Sequence, residues 1–266
     1  MKDVNMRVYR HLLPAHVIQY LMIYARNLAR QSLYNLYTIY RKHLKNRFHI
    51  YDLQTIEIIN KLPKDATCID VGVNEGQILN FMYKRCLKGK IIAIEPIPHL
   101  IRYLQSKYSW KRVLVQQVAL SDENNEGVFY YYPERNCLSG LRCTNTSEAS
   151  GLVPQKIVVP IRKLDDLFRE ERLDFIKIDV EGAEFNVLRG AHHILLKFKP
   201  VIIFESGIGG LECYGHTPGD LFAFLDQLSY KVATLQNYLN GREQFSKEEF
   251  IKNFLKGYDY QYIAYA

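Results

Sequence analysis

Cysteine and tryptophan are scarce in these 266 residues, with five copies of the first and one of the second. The cysteines, Cys68, Cys86, Cys137, Cys143 and Cys213, form no CxxC pair and have no histidine at ligand spacing. That excludes a zinc ribbon and a disulfide framework, and makes a reducing compartment, the cytoplasm, the expectation. Long apolar runs are missing too. The longest uncharged stretch of the N-terminal region, residues 11–25, has 15 residues and is interrupted by Pro14, His16 and Gln19. A spanning helix needs about 20 mainly apolar residues, and the small-residue cleavage pattern of a secretory signal is absent. Acids are the third shortage, but only locally. Residues 1–50 hold nine Lys and Arg against the single acid Asp3, a surplus of eight positive charges. The whole chain sums to +7, so everything after residue 50 carries a net −1.

What is present is ordinary for a globular protein: 48% hydrophobic and 24% charged residues, enough for one large domain or two small ones. Residues 15–40 have the helical apolar stripe Val17, Leu21, Tyr24, Leu28, Leu36 and Ile39, with Arg26 and Arg30 off it. A second helical piece, 52–61, ends at Leu62-Pro63. The expected division is a basic amphipathic helical extension over 1–62 and a main domain over 63–266. From Pro63 onward, short apolar runs alternate with helical patterns, the signature of βαβ units around a buried parallel sheet. Strands are expected at 67–71, 90–95, 113–119, 175–179, 201–205, 231–235 and 260–265. Helices are expected at 77–86, 99–107, 184–197 and 220–228. Residues 127–132 and 156–161 read as an inserted hairpin pair. The polar stretch between them, 133–154, has the length of a functional loop.

The chemistry starts at Asp70-Val71-Gly72-Val73-Asn74-Glu75-Gly76, at the end of the first strand. Glycines four apart permit a sharp turn and close backbone approach to a ligand. Nineteen residues beyond Gly76, at the next strand end, stands Glu95, where an acid in a doubly wound fold takes both hydroxyls of a ribose. The G-x-G-x-x-G spacing of nicotinamide enzymes is lacking. Asp70, two residues before the first glycine, suits the ammonium of a methionine moiety better than a diphosphate. Together these features favour S-adenosylmethionine.

Further on come Ala119-Leu120-Ser121-Asp122, Leu164-Asp165-Asp166-Leu167, Lys177-Ile178-Asp179-Val180-Glu181-Gly182-Ala183-Glu184, Leu188-Arg189-Gly190-Ala191 and Ile203-Phe204-Glu205. With Ile69-Asp70-Val71-Gly72 and Ile94-Glu95-Pro96, this series resembles the FkbM family of S-adenosylmethionine-dependent O-methyltransferases. The resemblance runs over about residues 65–205. It implies a class I methyltransferase fold: α/β, doubly wound and Rossmann-like, around a mostly parallel seven-stranded sheet with the last strand antiparallel. The family often has Gly-Ala-Asn where this chain has Gly72-Val73-Asn74, which places the bulkier Val73 on the expected cofactor side.

For the cofactor, the expected contacts are Asp70, Gly72, Asn74, Gly76, Glu95, Ser121 and Asp122. For transfer, they are Asp179, Glu181, Glu205 and His216. Methyl transfer from a sulfonium is an in-line displacement, so alignment matters most, and a base within reach of the acceptor hydroxyl assists. Each residue has a duller alternative: a turn hydrogen bond for Asp70, surface turn positions for Ser121 and Asp122, capping of helix N–H groups for Glu181, and a structural loop position for His216. Lys177 is expected either to pair with an acid or to orient an acceptor. His192-His193 has no partner spacing for a metal, and none is assigned.

The acceptor is expected to be a hydroxyl of a carbohydrate or glycosylated natural product. An RNA methyltransferase using the basic arm, and an idle cofactor-binding scaffold, are the alternatives. The arm itself admits three readings: contact with an anionic membrane surface or lipid-linked glycan, nucleic-acid binding, or packing on its own body or a second subunit. Acids gathered at the sheet edge of a near-neutral body argue against a phosphate-rich substrate.

Overall fold

The computed structural model describes residues 49–108, 112–144, 147–148 and 150–266. The expected arm helix at 15–40, and with it every reading of the basic segment, lies outside the described residues.

The first described element is helix α1, Ile50–Lys61. The main sheet begins with β1, Cys68–Val71, followed by α2, Leu79–Arg85, and β2, Ile91–Ile94. All eight residues of the two strands are buried. Isoleucine and valine favour a pleated backbone, and without a polar alternation such strands must be covered on both faces. Next come α3, Pro98–Lys107, with proline at its first turn, and β3, Val113–Gln116. Three strands of an inserted sheet follow: β4, Ala119–Leu120, β5, Asn125–Tyr131, and β6, Gln155–Arg162. The chain then supplies α4, Leu164–Phe168, β7, Phe175–Ile178, α5, Glu184–Arg189, α6, His192–Phe198, and β8, Val201–Glu205. It ends with α7, Pro218–Gln227, β9, Lys231–Thr234, α8, Leu235–Leu239, α9, Lys247–Leu255, and β10, Gln261–Tyr265.

The seven-stranded sheet has the order β3-β2-β1-β7-β8-β10-β9. Its strands from β3 to β8 run parallel, while β10 is antiparallel to both β8 and β9. This is the doubly wound α/β fold expected, with the last strand reversed. The order changes direction between β1 and β7, and the crevice outside the carboxyl ends of those strands is where such sheets bind ligands.

The expected hairpin is there, with β5 starting two residues earlier and ending one earlier, β6 one residue longer at each end, and the two paired antiparallel. The expected strand over 113–119 is two elements. β3 stops at Gln116, and β4 leaves the main sheet to pair parallel with Ile161 and Arg162 of β6. The result is a three-stranded sheet, β4-β6-β5, packed through Ala119, Phe129, Val159 and Ile161 on Ile97 and Leu100 of the α3 region.

The expected long helix over 184–197 is also broken, at Gly190-Ala191. A side chain at Gly190 would place its Cβ 2.0 Å from the Ser121 carbonyl oxygen, so the chain is pinched there. A new helix starts beyond it. The Asp165 carboxylate accepts from the His193 and Ile194 amides at 2.8 and 3.0 Å, satisfying the first turn of α6. Helix α9 was not expected. Ser246 and Glu249 cap it reciprocally, as Thr217 and Asp220 do for α7.

Residues 54–266 form one compact unit, to which both sheets belong. Among the described residues no helix is long and apolar enough to cross a membrane.

Candidate active site

A cavity of about 230 Å³ opens at the carboxyl edge of the main sheet. Its floor comes from four strand ends: Gly72 and Asn74 after β1, Glu95 to Ile97 after β2, Asp179 to Glu181 after β7, and Glu205 of β8. Its apolar side is supplied by Leu100, Val118, Leu120 and Phe129, and the loop carrying Asn136, Cys137 and Ser139 closes over it.

The turn after β1 is built around its glycine. Gly72 has φ +79°, and a Cβ there would sit 1.8 Å from the Asp179 carbonyl oxygen. Only hydrogen fits, and the close approach brings the ends of β1 and β7 together. Asn74 is also left-handed, φ 49°, a conformation asparagine tolerates better than most residues. Its amide donates to Glu95 Oε2 at 2.9 Å, while Glu95 Oε1 accepts from the Ile97 amide at 3.0 Å. Each oxygen keeps a second lone pair, so both can still accept from a ligand hydroxyl. Burial pushes Glu95 up to about pKa 7, against the pull of those two N–H groups.

Behind the floor, Lys177 is buried between two acids, with Nζ 2.9 Å from Asp179 Oδ2 and 3.8 Å from Asp70 Oδ1. Burial works against its charge, yet the two carboxylates outweigh it and hold its pKa above the usual range. Burial lifts Asp70 to about 6, with Lys177 opposing and Asp179 adding. Nearer the opening, burial and the Asp179 and Glu205 charges push Glu181 up to about 9. Burial and Asp179 push Glu205 up to about 8. One lysine thus faces a field of carboxylates, a setting that stabilises an incoming cation.

Of the expected residues, Gly72, Asn74, Glu95, Asp179, Glu181 and Glu205 line this one cavity. Asp70 lies behind it with Lys177, and the buried-ion-pair reading of Lys177 is the one realised. Gly76 is placed elsewhere: its carbonyl accepts from Tyr108 Oη at 3.1 Å, and a Cβ on it would lie 3.0 Å from Leu104 Cδ2. Val73 is buried outside the cavity lining. Asp122 is paired with Arg189 at 3.3 Å, and Ser121 donates to Asp122 Oδ1 at 3.2 Å and lines a neighbouring cleft. His216 stands against the Phe185 ring, with Nε2 2.8 Å from Asn186 Oδ1, and is not among the lining residues. Among the described residues, no three His, Cys, Asp or Glu side chains are arranged to hold a metal ion.

Residues 70–232 match the family model described as the methyltransferase FkbM domain, more than half of the chain. The chain belongs to the FkbM methyltransferase family. Curated relatives include methyltransferase sdnD of Sordaria araneosa, 29% identical over 53% of this chain and 64% of that protein. The 2-O-methyltransferase NoeI of Sinorhizobium fredii is 27% identical over 53% and 64%. AMB antimetabolite synthetase AmbE of Pseudomonas aeruginosa is 28% identical over 54% of this chain and 8% of its own length. The chain therefore spans less than two thirds of each of these relatives. Among solved structures, the methyltransferase FkbM of Methylobacillus flagellatus is similar at 16% identity and a TM-score of 0.42, over 77% of this chain and 44% of that one.

Within the FkbM domain, the most telling residue that sequence reasoning missed is Glu184. Its buried Oε1 accepts from the Val180 amide at 2.9 Å and the Gly182 amide at 3.2 Å. The amide-capping role considered for Glu181 thus falls to Glu184. Glu181, between those two anchored amides, is held at φ 56° facing the cavity. Gly182 in turn meets Gly210 backbone to backbone: a Cβ on Gly182 would lie 2.9 Å from the Gly210 α-carbon. The spacing Glu-Gly-Ala-Glu was the available signal, since a carboxylate three or four residues into a loop-to-helix junction regularly turns back to cap it.

Proposed function

We propose that this chain transfers a methyl group from S-adenosylmethionine to a hydroxyl oxygen, on a carbohydrate or a glycosylated natural product. The observation that carries the reading is the composition of the cavity. Glu95 stands where a ribose diol would be received, and Asp179, Glu181 and Glu205 face the opening with one buried lysine to balance them. These acids give a dinucleotide diphosphate no positive partner, whereas a sulfonium and an ammonium are cations that would draw the raised Glu181 and Glu205 toward their ionised form.

The residues present fit that cofactor. Asn74 Oδ1 is buried at the cavity without a hydrogen-bond partner, as is Asn136 Oδ1 in the covering loop; each can accept from a ligand N–H or O–H. When bound, the cofactor supplies an activated methyl group on sulfur. Everything else falls to the chain. Glu95 would receive ribose hydroxyls, the Leu100, Val118, Leu120 and Phe129 wall would receive the flat adenine, and Asp179 would offer its carboxylate to the cationic methionine portion. Glu181 and Glu205 flank the space left for the acceptor. A carboxylate whose pKa is raised to about 8 or 9 is, once ionised, a stronger base than an ordinary glutamate. As the carbon–oxygen bond formed and the carbon–sulfur bond broke, leaving a neutral thioether, the acceptor's proton would pass to one of them.

The test is incubation of the full chain with labelled cofactor and purified glycans, followed by mass spectrometry. A gain of about 14 Da per methyl on a sugar hydroxyl is expected. Cofactor binding with no transfer to any glycan, against transfer to RNA or to another acceptor class, would overturn the carbohydrate reading.

A further inference from the structure

A second cleft of about 670 Å³ adjoins the first, and no residue expected to transfer the methyl group lies in it. It is bounded by Tyr130 of β5, by Arg142 and Glu148 of the covering loop, by Asn186 of α5 and by Tyr214. Leu141 lines both spaces. Gly140, next to Leu141 in the chain, stands between residues of the two linings. Gly140 exchanges hydrogen bonds with Tyr130 at 2.9 and 3.1 Å, and a Cβ on Gly140 would lie 3.5 Å from the Glu181 Cβ. Gly140 thus touches Tyr130 of the cleft on one side and the proposed transfer residue Glu181 on the other.

The polar groups of the cleft are held in place. Arg142 Nη1 donates to the Cys213 carbonyl at 2.6 Å, and the guanidinium lies 5.0 Å from the Tyr214 ring centre, leaving its other N–H donors in a fixed plane. His216 Nε2–H donates to Asn186 Oδ1, which turns the Asn186 amide nitrogen, a double donor, away from the histidine. Two tyrosine rings, an oriented arginine fork, an amide donor and the Glu148 acceptor form a surface for a ring with apolar C–H faces and a rim of hydroxyls. The charged lining residues are Glu123, Glu148 and Arg142, a net negative set that disfavours polyphosphate.

We infer that this cleft binds the saccharide of the acceptor, with Asn186, oriented by His216, and Arg142 fixing which hydroxyl is presented over the Gly140–Leu141 wall. The inference rests on the proposed methyl transfer and names the place where its acceptor is held. It also gives His216 a positioning role in place of a catalytic one.

The experiment is saturation-transfer NMR on the full chain, using methyl glycosides of hexoses and deoxyhexoses and their disaccharides as probes. S-adenosylmethionine binding is followed in parallel by calorimetry. At least one glycoside should receive saturation from tyrosine ring protons. Tyr130→Ala and Asn186→Ala should each weaken its binding about tenfold, the size of one lost contact, with cofactor affinity unchanged. Glycoside binding that survives both substitutions, or no glycoside binding in a protein that takes up the cofactor, would overturn the assignment. So would an RNA oligonucleotide that binds and is lost in the same variants. Glycoside binding without cofactor binding would leave the cleft standing and remove the methyl-transfer reading instead.

Discussion

Lys177 Nζ and Asp179 Oδ2 lie 2.9 Å apart at the floor of the cavity, and the same ammonium is the counter-charge available to buried Asp70, 3.8 Å away. Lys177 thus serves one acid on β1, with which it is in register, and one just past the end of its own strand β7. Removing one member of a buried pair strands the other, at a cost of about 3 to 5 kcal/mol. Lys177→Met should lower the urea midpoint accordingly, and Asp70→Asn added to it should recover part of the loss. An unchanged midpoint for Lys177→Met would show that the acids do not depend on it.

The raised carboxylates set opposite pH trends for stability and for binding. Glu95, Glu205 and Glu181 are lifted from 4.5 to about 7, 8 and 9. For a raised acid, the folded state's stability is complete below the unfolded value and is lost as pH rises through the folded one, because the unfolded chain ionises first. The thermal midpoint of the ligand-free protein should therefore fall steadily from pH 5 to pH 9. Ribose hydroxyls are best accepted by ionised Glu95, so S-adenosylmethionine affinity should rise as pH passes about 7. Glu95→Gln should flatten that rise. A pH-independent affinity in the wild type would argue against Glu95 as the ribose acceptor.

Glu184 predicts a separation of kinetic constants. Glu184→Ala releases the Val180 and Gly182 amides and frees Glu181 from its left-handed conformation, which costs about 1 to 3 kcal/mol to hold. Turnover should fall about tenfold to a hundredfold with little change in cofactor KM, and Glu184→Gln, which keeps an acceptor oxygen, should restore much of it. Equal losses in both variants would mean that the charge, rather than the hydrogen bonds, is what matters.

The two glycines of the β1 turn should differ sharply when each is replaced by alanine. At Gly72 the new Cβ would be 1.8 Å from a backbone oxygen, so the ends of β1 and β7 must part; at Gly76 the nearest atom, at 3.0 Å, is the mobile Cδ2 of Leu104. Both substitutions carry the cost of positive φ, about 1 to 2 kcal/mol. Calorimetric melting should show Gly76→Ala as a modest loss, and Gly72→Ala as a larger one accompanied by loss of cofactor binding. Equal melting points would be inconsistent with the geometry at Gly72.

How much of the fold and the site was legible from residues alone follows a physical division. Buried parallel strands announce themselves, because a short apolar run with three β-branched residues, such as Ile91-Ile92-Ala93-Ile94, has little alternative. Strand-end acids are legible for the same reason, since the strand fixes where they fall. What escaped depends on contacts between distant segments. The bend at Gly190 exists because Ser121 packs there, and the departure of β4 depends on a partner some forty residues later. His216 illustrates the limit most clearly. Its chemistry suits a base, but only the fold reveals that its nitrogen is occupied by Asn186. Gly76 shows the same limit in a glycine, which serves helix packing although its spacing suggested a ligand.

The contact between Gly182 and Gly210 leaves no room for a side chain on Gly182 and little on Gly210. The loop that follows β7 carries Glu181, and the loop that follows β8 starts just after Glu205, so the two acids belong to segments welded at a point where the chain is bare. Any shift that carried one loop outward would drag the other with it. In the proposed transfer, this glycine contact bears on how far apart Glu181 and Glu205 stand, and so on the gap offered to an acceptor oxygen.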